Sequence, residues 1–429
     1  MIHDEPLSEA ADELRRGKTD VVSYVDSLQA RAEDVEPTIE SFVPEEGRWD
    51  RVHEEAAALD ADDTDVADRP PLYGVPIGVK DIFHVDGLPT RGGSKVPPEA
   101  LAGPESTAVS RLREAGAIVL GKTVTTEFAY FEPGPTRNPH DPDHTPGGSS
   151  SGSAAAVAAG LTPLAFGSQT VGSVIRPAAF CGIVGFKPTY GRIPIAGVLP
   201  FSTSVDTVGY FTQDVSGAAL AASLLCDDWR PLPRSDERPT LGVPEGPYLQ
   251  QASETALNAF ESQLSHLEGA GYAVEHVEAF ENIDDVNERH DDLIAAEMAL
   301  DHDEWYRQYG DDYRKTTADL IEKGLDVSTA ELAEGRRGRS QLRDELEGLM
   351  NDHGIDVWIA PAAPGPAPEG IDSTGDPAMN LPWTQSGLPT IALPTEETAD
   401  GLPLGVQCAA AYGADEDLMQ WAEDLADAL

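Results

Sequence analysis

Gly116-Ala117-Ile118-Val119-Leu120-Gly121-Lys122-Thr123 has the spacing of a phosphate-binding loop, and its reading decides the fold. Such a loop needs a flexible Gly-rich turn after a strand, so that free backbone N–H groups can wrap an anion. Here the residues between the glycines are Ala-Ile-Val-Leu, which themselves read as a strand and would spend their N–H groups on a sheet. Ala117–Leu120 is therefore taken as a strand, and ATP or GTP binding is set aside. Upstream, residues 106–115 read as a helix with Val109 and Leu112 inward, and Val75–Val79 as a buried strand. Downstream, the small residues of Ser153–Gly160 suit a closely packed helix.

The alternation continues further along the chain. Leu241–Val243, a helix with Leu257, Phe260, Leu264 and Leu267 inward, and Tyr272–Val277 form a βαβ-like unit. Residues 282–350 read as charged helices, with a capping box at Ser328 and Glu331. Strands return at Asp356–Ala360, Thr390–Leu393 and Leu404–Cys408 before a final helix. Residues 1–70 read as helices with acidic linkers, one of them capped by Thr19, and residues 226–238 as a linker. The pattern predicts a layered α/β fold in four stretches. These are an N-terminal helical region (1–70), a core (71–225), a largely helical substrate-side insertion (226–355), and a return to the core sheet with the last helix (356–429).

The 429 residues carry 29 basic against 76 acidic side chains, a formal charge of −47. Hydrophobic residues make up 40%, enough for a buried core and against wholesale disorder. A chain this acidic repels phosphate backbones and anionic membranes at ordinary salt, so direct nucleic-acid binding and membrane association are not expected. Only 7 of the basic residues are Lys, against 22 Arg. Self-repulsion at this charge is relieved when salt shortens the screening length, so we read the chain as adapted to a halophile's cytoplasm; a merely acidic protein is the alternative. Cys181, Cys226 and Cys408 make no CxxC pair, the first residues lack a secretory signal pattern, and no apolar run is long enough for a membrane span. Neither a metal nor a cofactor is expected.

Two motifs compete for the chemistry. Gly148-Ser149-Ser150-Ser151-Gly152 formally matches a nucleophile elbow, but the Pro-rich stretch before it cannot be a central strand. His266, His276, His290, His302 and His353 lie in acidic helical segments and read as solvated surface residues. The other motif is a constellation: Lys80 at the end of an apolar strand, the Gly/Ser loop 147–153, and Gly167-Ser168-Gln169-Thr170-Val171-Gly172-Ser173-Val174-Ile175-Arg176-Pro177. Burial disfavours the charged form of a lysine, and a neutral lysine can act as a base. A serine needs such a base to become nucleophilic, and Gly-rich turns can gather N–H groups around a reacting carbonyl. By spacing alone a salt-bridged Lys80 and a flexible loop explain these features equally well.

The three separated motifs, in this order, resemble the amidase signature family over Pro71–Thr212 and again over Pro361–Ala409. The resemblance implies one large α/β domain whose mixed, mostly parallel central sheet is covered by helices on both faces. It places the catalytic lysine on Lys80, a serine preceded by a cis peptide bond on Ser149, and the nucleophile on Ser173. Backbone N–H groups of Thr170, Val171, Gly172 and Ser173 would form the oxyanion hole. The implied activity is hydrolysis of a small linear amide through an acyl-enzyme. A homodimer is left open.

The chain departs from the family pattern in informative places. Gln169 stands for an Asp, and Val171 and Ser151 stand for glycines. Ile175 replaces the arginine two residues after the nucleophile, and Arg176 sits one position later, as in malonamidase-like members. There the arginine binds a substrate carboxylate; a structural ion pair, for instance with Asp206, is the alternative for Arg176. The family also contains the A subunit of the glutamyl/aspartyl-tRNA amidotransferase, a glutaminase that works with partner subunits. That glutaminase role, and an inactive scaffold, are the rival readings.

Overall fold

Most of the stretch spaced like a phosphate loop, Ile118–Thr123, is a strand buried along its whole length. This is seen in a computed structural model describing residues 1–62, 64–232 and 237–429. Ten strands make one sheet: β1 (Pro76–Lys80), β2 (Ile118–Thr123), β3 (Leu164–Gln169), β4 (Val184–Lys187), β5 (Thr207–Thr212), β6 (Leu241–Glu245), β7 (Val274–Glu278), β8 (Val357–Pro361), β9 (Thr390–Glu397) and β10 (Pro403–Ala410). Their order across it is β2-β1-β3-β5-β4-β9-β10-β8-β6-β7. β2, β1 and β3 run parallel at one flank, and β8, β6 and β7 run parallel at the other. Between them, from β3 through β5, β4, β9 and β10 to β8, every pairing is antiparallel. The expected mixed α/β sheet is thus parallel at its flanks, where helical crossovers join the strands, and antiparallel across its centre. Helices cover both faces.

The site lies where this sheet changes direction. Helix Ser151–Ala158 is built of small residues, all buried, and packs against β1, β2, β3 and β5. Helix Ile175–Cys181 lies on β4, β9 and β10, with Ala178 against Gly185, where a side chain's Cβ would come within 2.6 Å. Among the described residues of 226–355, helices predominate and β6 and β7 extend the sheet. Helices Lys315–Asp326 and Thr329–His353 both pack on helix Ile283–Asp301, and Ser328 and Glu331 form the expected capping box. The first long helix begins one residue later than Thr19 implied: Asp20 caps Val21–Ile39 by accepting from the Ser23 N–H, and a carboxylate is the better acceptor there. The linker expected at 226–238 falls in part outside the described residues.

Candidate active site

Lys80 is wholly buried at the end of β1, and two hydroxyls receive its amine. Nζ donates to Ser149 Oγ at 2.7 Å and to Ser168 Oγ at 2.9 Å. Burial holds its pKa well below the usual lysine range, and the negative charge of Asp206 only partly opposes this. The Gly148–Ser149 peptide bond is cis. Ser149, Thr170, Val171, Gly172, Ser173 and Arg176 line one small cavity together with Tyr130, Phe131, Phe201 and Pro377. The three candidate catalytic side chains and the loop of four candidate N–H donors therefore meet in one place. His290, which also bears on this loop, was missed.

The loop between β3 and helix Ile175–Cys181 is held from behind. Gln169 Oε1 accepts from the N–H groups of Val174 and Ile175 at 2.8 and 3.0 Å, and its amide donates to Thr384 Oγ1. The amide oxygen thus takes the place of the family's carboxylate at the start of the helix. Val171 and Ser151 avoid the left-handed region, so neither position needs a glycine. Gly172 does need one, because a Cβ there would stand 2.5 Å from Asn380 Oδ1. Replacing Gly172 by Ala will push the loop off Asn380, lower kcat by about 10²-fold, the scale of losing one oxyanion donor, and cost about 1–3 kcal/mol of stability through overpacking. Steady-state kinetics beside a thermal melt check this.

Arg176 is also buried, and burial lowers its pKa to about 10, so it stays charged at neutral pH. Its Nη2 donates to the Gly148 carbonyl at 2.7 Å and to Thr374 Oγ1 at 3.2 Å, while Nε and Nη1 have no partner. The ion pair with Asp206 is not formed. Asp206 instead accepts from Thr170 Oγ1 and from the N–H groups of Phe201 and Ser202. Among the described residues no carboxylate forms an ion pair with Arg176, although the charge of Asp376 favours its protonated form.

The surface reading of the histidines fails at two of the five. His290 and His302 are completely buried. His290 Nε2 lies 3.0 Å from the Thr170 carbonyl, and His302 bridges Tyr313 and the Pro200 carbonyl. The signal was available at helical spacing, since Val286, His290, Leu293 and Glu297 share the buried face of helix Ile283–Asp301. Ser168 and Thr384 carried no such signal. No group of residues suited to hold a metal occurs among the described residues, and none of their helices is long and apolar enough to cross a membrane.

The family model described as Amidase matches residues 23–419. The glutamyl-tRNA(Gln) amidotransferase of Synechococcus sp. (strain RCC307) has an A subunit that is 30% identical, over 97% of this chain and 95% of that one. AtzE, the 1-carboxybiuret hydrolase subunit of Pseudomonas sp. (strain ADP), is 34% identical, over 84% of this chain and 85% of that one. A crystal structure described as that of an amidase superposes with a TM-score of 0.89 at 31% identity, covering 99% of this chain and 100% of that chain. With its motifs in order and its fold shared along nearly the full length, the chain belongs to the amidase family.

Proposed function

We propose that the chain hydrolyses a small, carboxylate-bearing amide and releases ammonia or an amine through an acyl-enzyme on Ser173. Neutral Lys80 accepts a proton from Ser149, which accepts one from Ser173 as its Oγ attacks the amide carbon. The negative charge that gathers on the carbonyl oxygen is received by N–H groups of the 170–173 loop. The proton returns by the same path to the leaving nitrogen, the C–N bond breaks, and a water molecule attacks the ester to restore Ser173. The relay is favoured by the short Lys80–Ser149 bond and by the burial that disfavours the charged form of Lys80.

The observation that carries the substrate class is the buried Arg176 with two donors unspent at the cavity. Burial works against the charge of Arg176, Asp376 opposes this without forming an ion pair, and a substrate carboxylate at the unspent donors would supply a direct counter-ion. We read the charge of −47 as adaptation to salt, so the assay belongs in molar KCl. The purified chain alone is expected to release ammonia from malonamate-like acids faster than from their neutral counterparts. Arg176→Met, which also loses the bond to Gly148, will slow both but cost the acidic amides a further 10- to 100-fold in kcat/KM, about 1.4–2.8 kcal/mol. An equal loss on both refutes the carboxylate role.

The amidotransferase relatives, matched over nearly the whole chain, support a second reading as the glutaminase of a larger complex. Under it, glutamine turns over only with partner subunits present. Turnover confined to that condition would defeat the stand-alone assignment.

A further inference from the structure

We propose that His290 is a positioning residue: from helix Ile283–Asp301, outside the motifs, it fixes the oxyanion loop by donating from Nε2 to the Thr170 carbonyl. The proposal rests on the reading of Ser173 as the nucleophile whose oxyanion is held by residues 170–173.

In a planar trans peptide, the C=O of one residue and the N–H of the next point in opposite directions. Holding a carbonyl on one side of a loop therefore presents the following N–H on the other. Three successive carbonyls here are held. That of Thr170 accepts from His290 at 3.0 Å, that of Val171 from Thr384 Oγ1 at 2.6 Å, and that of Gly172 from the Arg176 N–H at 3.0 Å. Their partner N–H groups are those of Val171, Gly172 and Ser173, on residues that line the cavity. None of these three N–H groups donates to a protein acceptor among the described residues. Buried N–H groups are nearly always satisfied, so three consecutive free ones beside a cavity are ready for a ligand oxygen.

Of the three anchors, only the Arg176 N–H belongs to the signature motif itself. Because the Thr170 carbonyl can only accept, the hydrogen of the neutral imidazole sits on Nε2; Nδ1 has no partner. Burial lowers the His290 pKa to about 4, so at neutral pH the ring is an uncharged donor. The same helix supports Thr170 a second way. Glu297, two turns on, accepts from Ser202 Oγ at 2.7 Å and from the Ser204 N–H, bracing the turn whose N–H groups hold Asp206; Asp206 in turn accepts from Thr170 Oγ1 at 2.6 Å.

Three substitutions test the inference. A glutamine amide can reach the place of Nε2, an asparagine amide falls short of it, and leucine offers no donor. His290→Leu and His290→Asn are expected to lower kcat about 10²-fold with KM within a factor of two. Both should weaken a boronic-acid transition-state analogue in parallel, and His290→Gln should recover most of each loss. Melting curves in molar KCl identify any variant that fails to fold, in which case the Gln and Asn pair carries the comparison. The proposal is overturned if folded His290→Asn keeps wild-type kcat, if Gln is no better than Asn, or if the analogue binds all variants alike. Failure of the underlying reading looks different: Ser173→Ala would then retain the activity of the wild type, whatever residue stands at 290.

Discussion

Replacing Lys80 by Met will abolish amide hydrolysis, by about 10⁴-fold or more, and the inactive protein will melt at a higher temperature than the wild type. The loss of activity follows from removing the base of a unit whose members fail together. The gain in stability follows from what burial does to a lysine. With its folded pKa well below the unfolded value, Lys80 is uncharged in the native protein but protonated in the unfolded chain over the window between those values. The unfolded chain therefore binds the extra proton, and stability rises with pH through that window. Below it, the native state must carry a buried charge. Methionine has nearly the same length and fills the same space without a group that burial penalises when charged. Melting curves of both proteins across pH in molar KCl check this. The wild type should show the positive slope, and Lys80→Met should lack it while lying above the wild type at neutral pH. A variant less stable than the wild type throughout would mean that Lys80 serves the fold rather than the chemistry. On the activity side, kcat/KM of the wild type should fall on the acid limb as the amine becomes charged.

Much of this site could be read without coordinates because its chemistry is local. Lys80 ends an apolar run and the Gly/Ser loops carry their own conformational demands, which marks these segments out. The roles expected for Ser149, Ser173 and the donor loop came from the resemblance of the motifs to the amidase signature family. The flanking elements were legible locally: β1, β2 and helix Thr107–Glu114 each declare their period within a few residues. What stayed hidden depends on distant pairing. His290 is 120 positions from the carbonyl it holds, and Thr384 is 213 from its own. Asp206 looked like a counter-ion for Arg176, but the neighbouring N–H groups of Phe201 and Ser202 take its carboxylate first. The direction of pairing across the middle of the sheet was likewise invisible, since a buried strand reads as the same apolar run in either sense.

Lys122, the lysine of the apparent phosphate loop, gives the second large effect. It is 4% exposed on β2, and its Nζ lies 2.8 Å from Asp81 Oδ1 and 3.1 Å from Thr90 Oγ1. Asp81 is 1% exposed, directly follows Lys80, and accepts from the Arg91 N–H as well. Burial works against both charges, and each partner offsets that cost for the other. Breaking a buried pair from one side strands the remaining charge, so Lys122→Met is expected to cost about 3–5 kcal/mol of stability, read from the shift of a urea midpoint. The deficit should shrink towards acid pH. Without its partner, the folded pKa of Asp81 lies above the unfolded value, so the native state binds the extra proton and the variant loses stability as pH rises through that window. Molar KCl will not rescue it, because the pair is shielded from solvent. The double variant Asp81→Asn/Lys122→Met removes both charges, and Asn can still accept from the Arg91 N–H. It should recover most of the loss, giving a coupling of several kcal/mol in a double-mutant cycle. If the two single losses simply add, the pair is not what holds this end of β1, and the position of Lys80 must be secured by its hydroxyl partners alone.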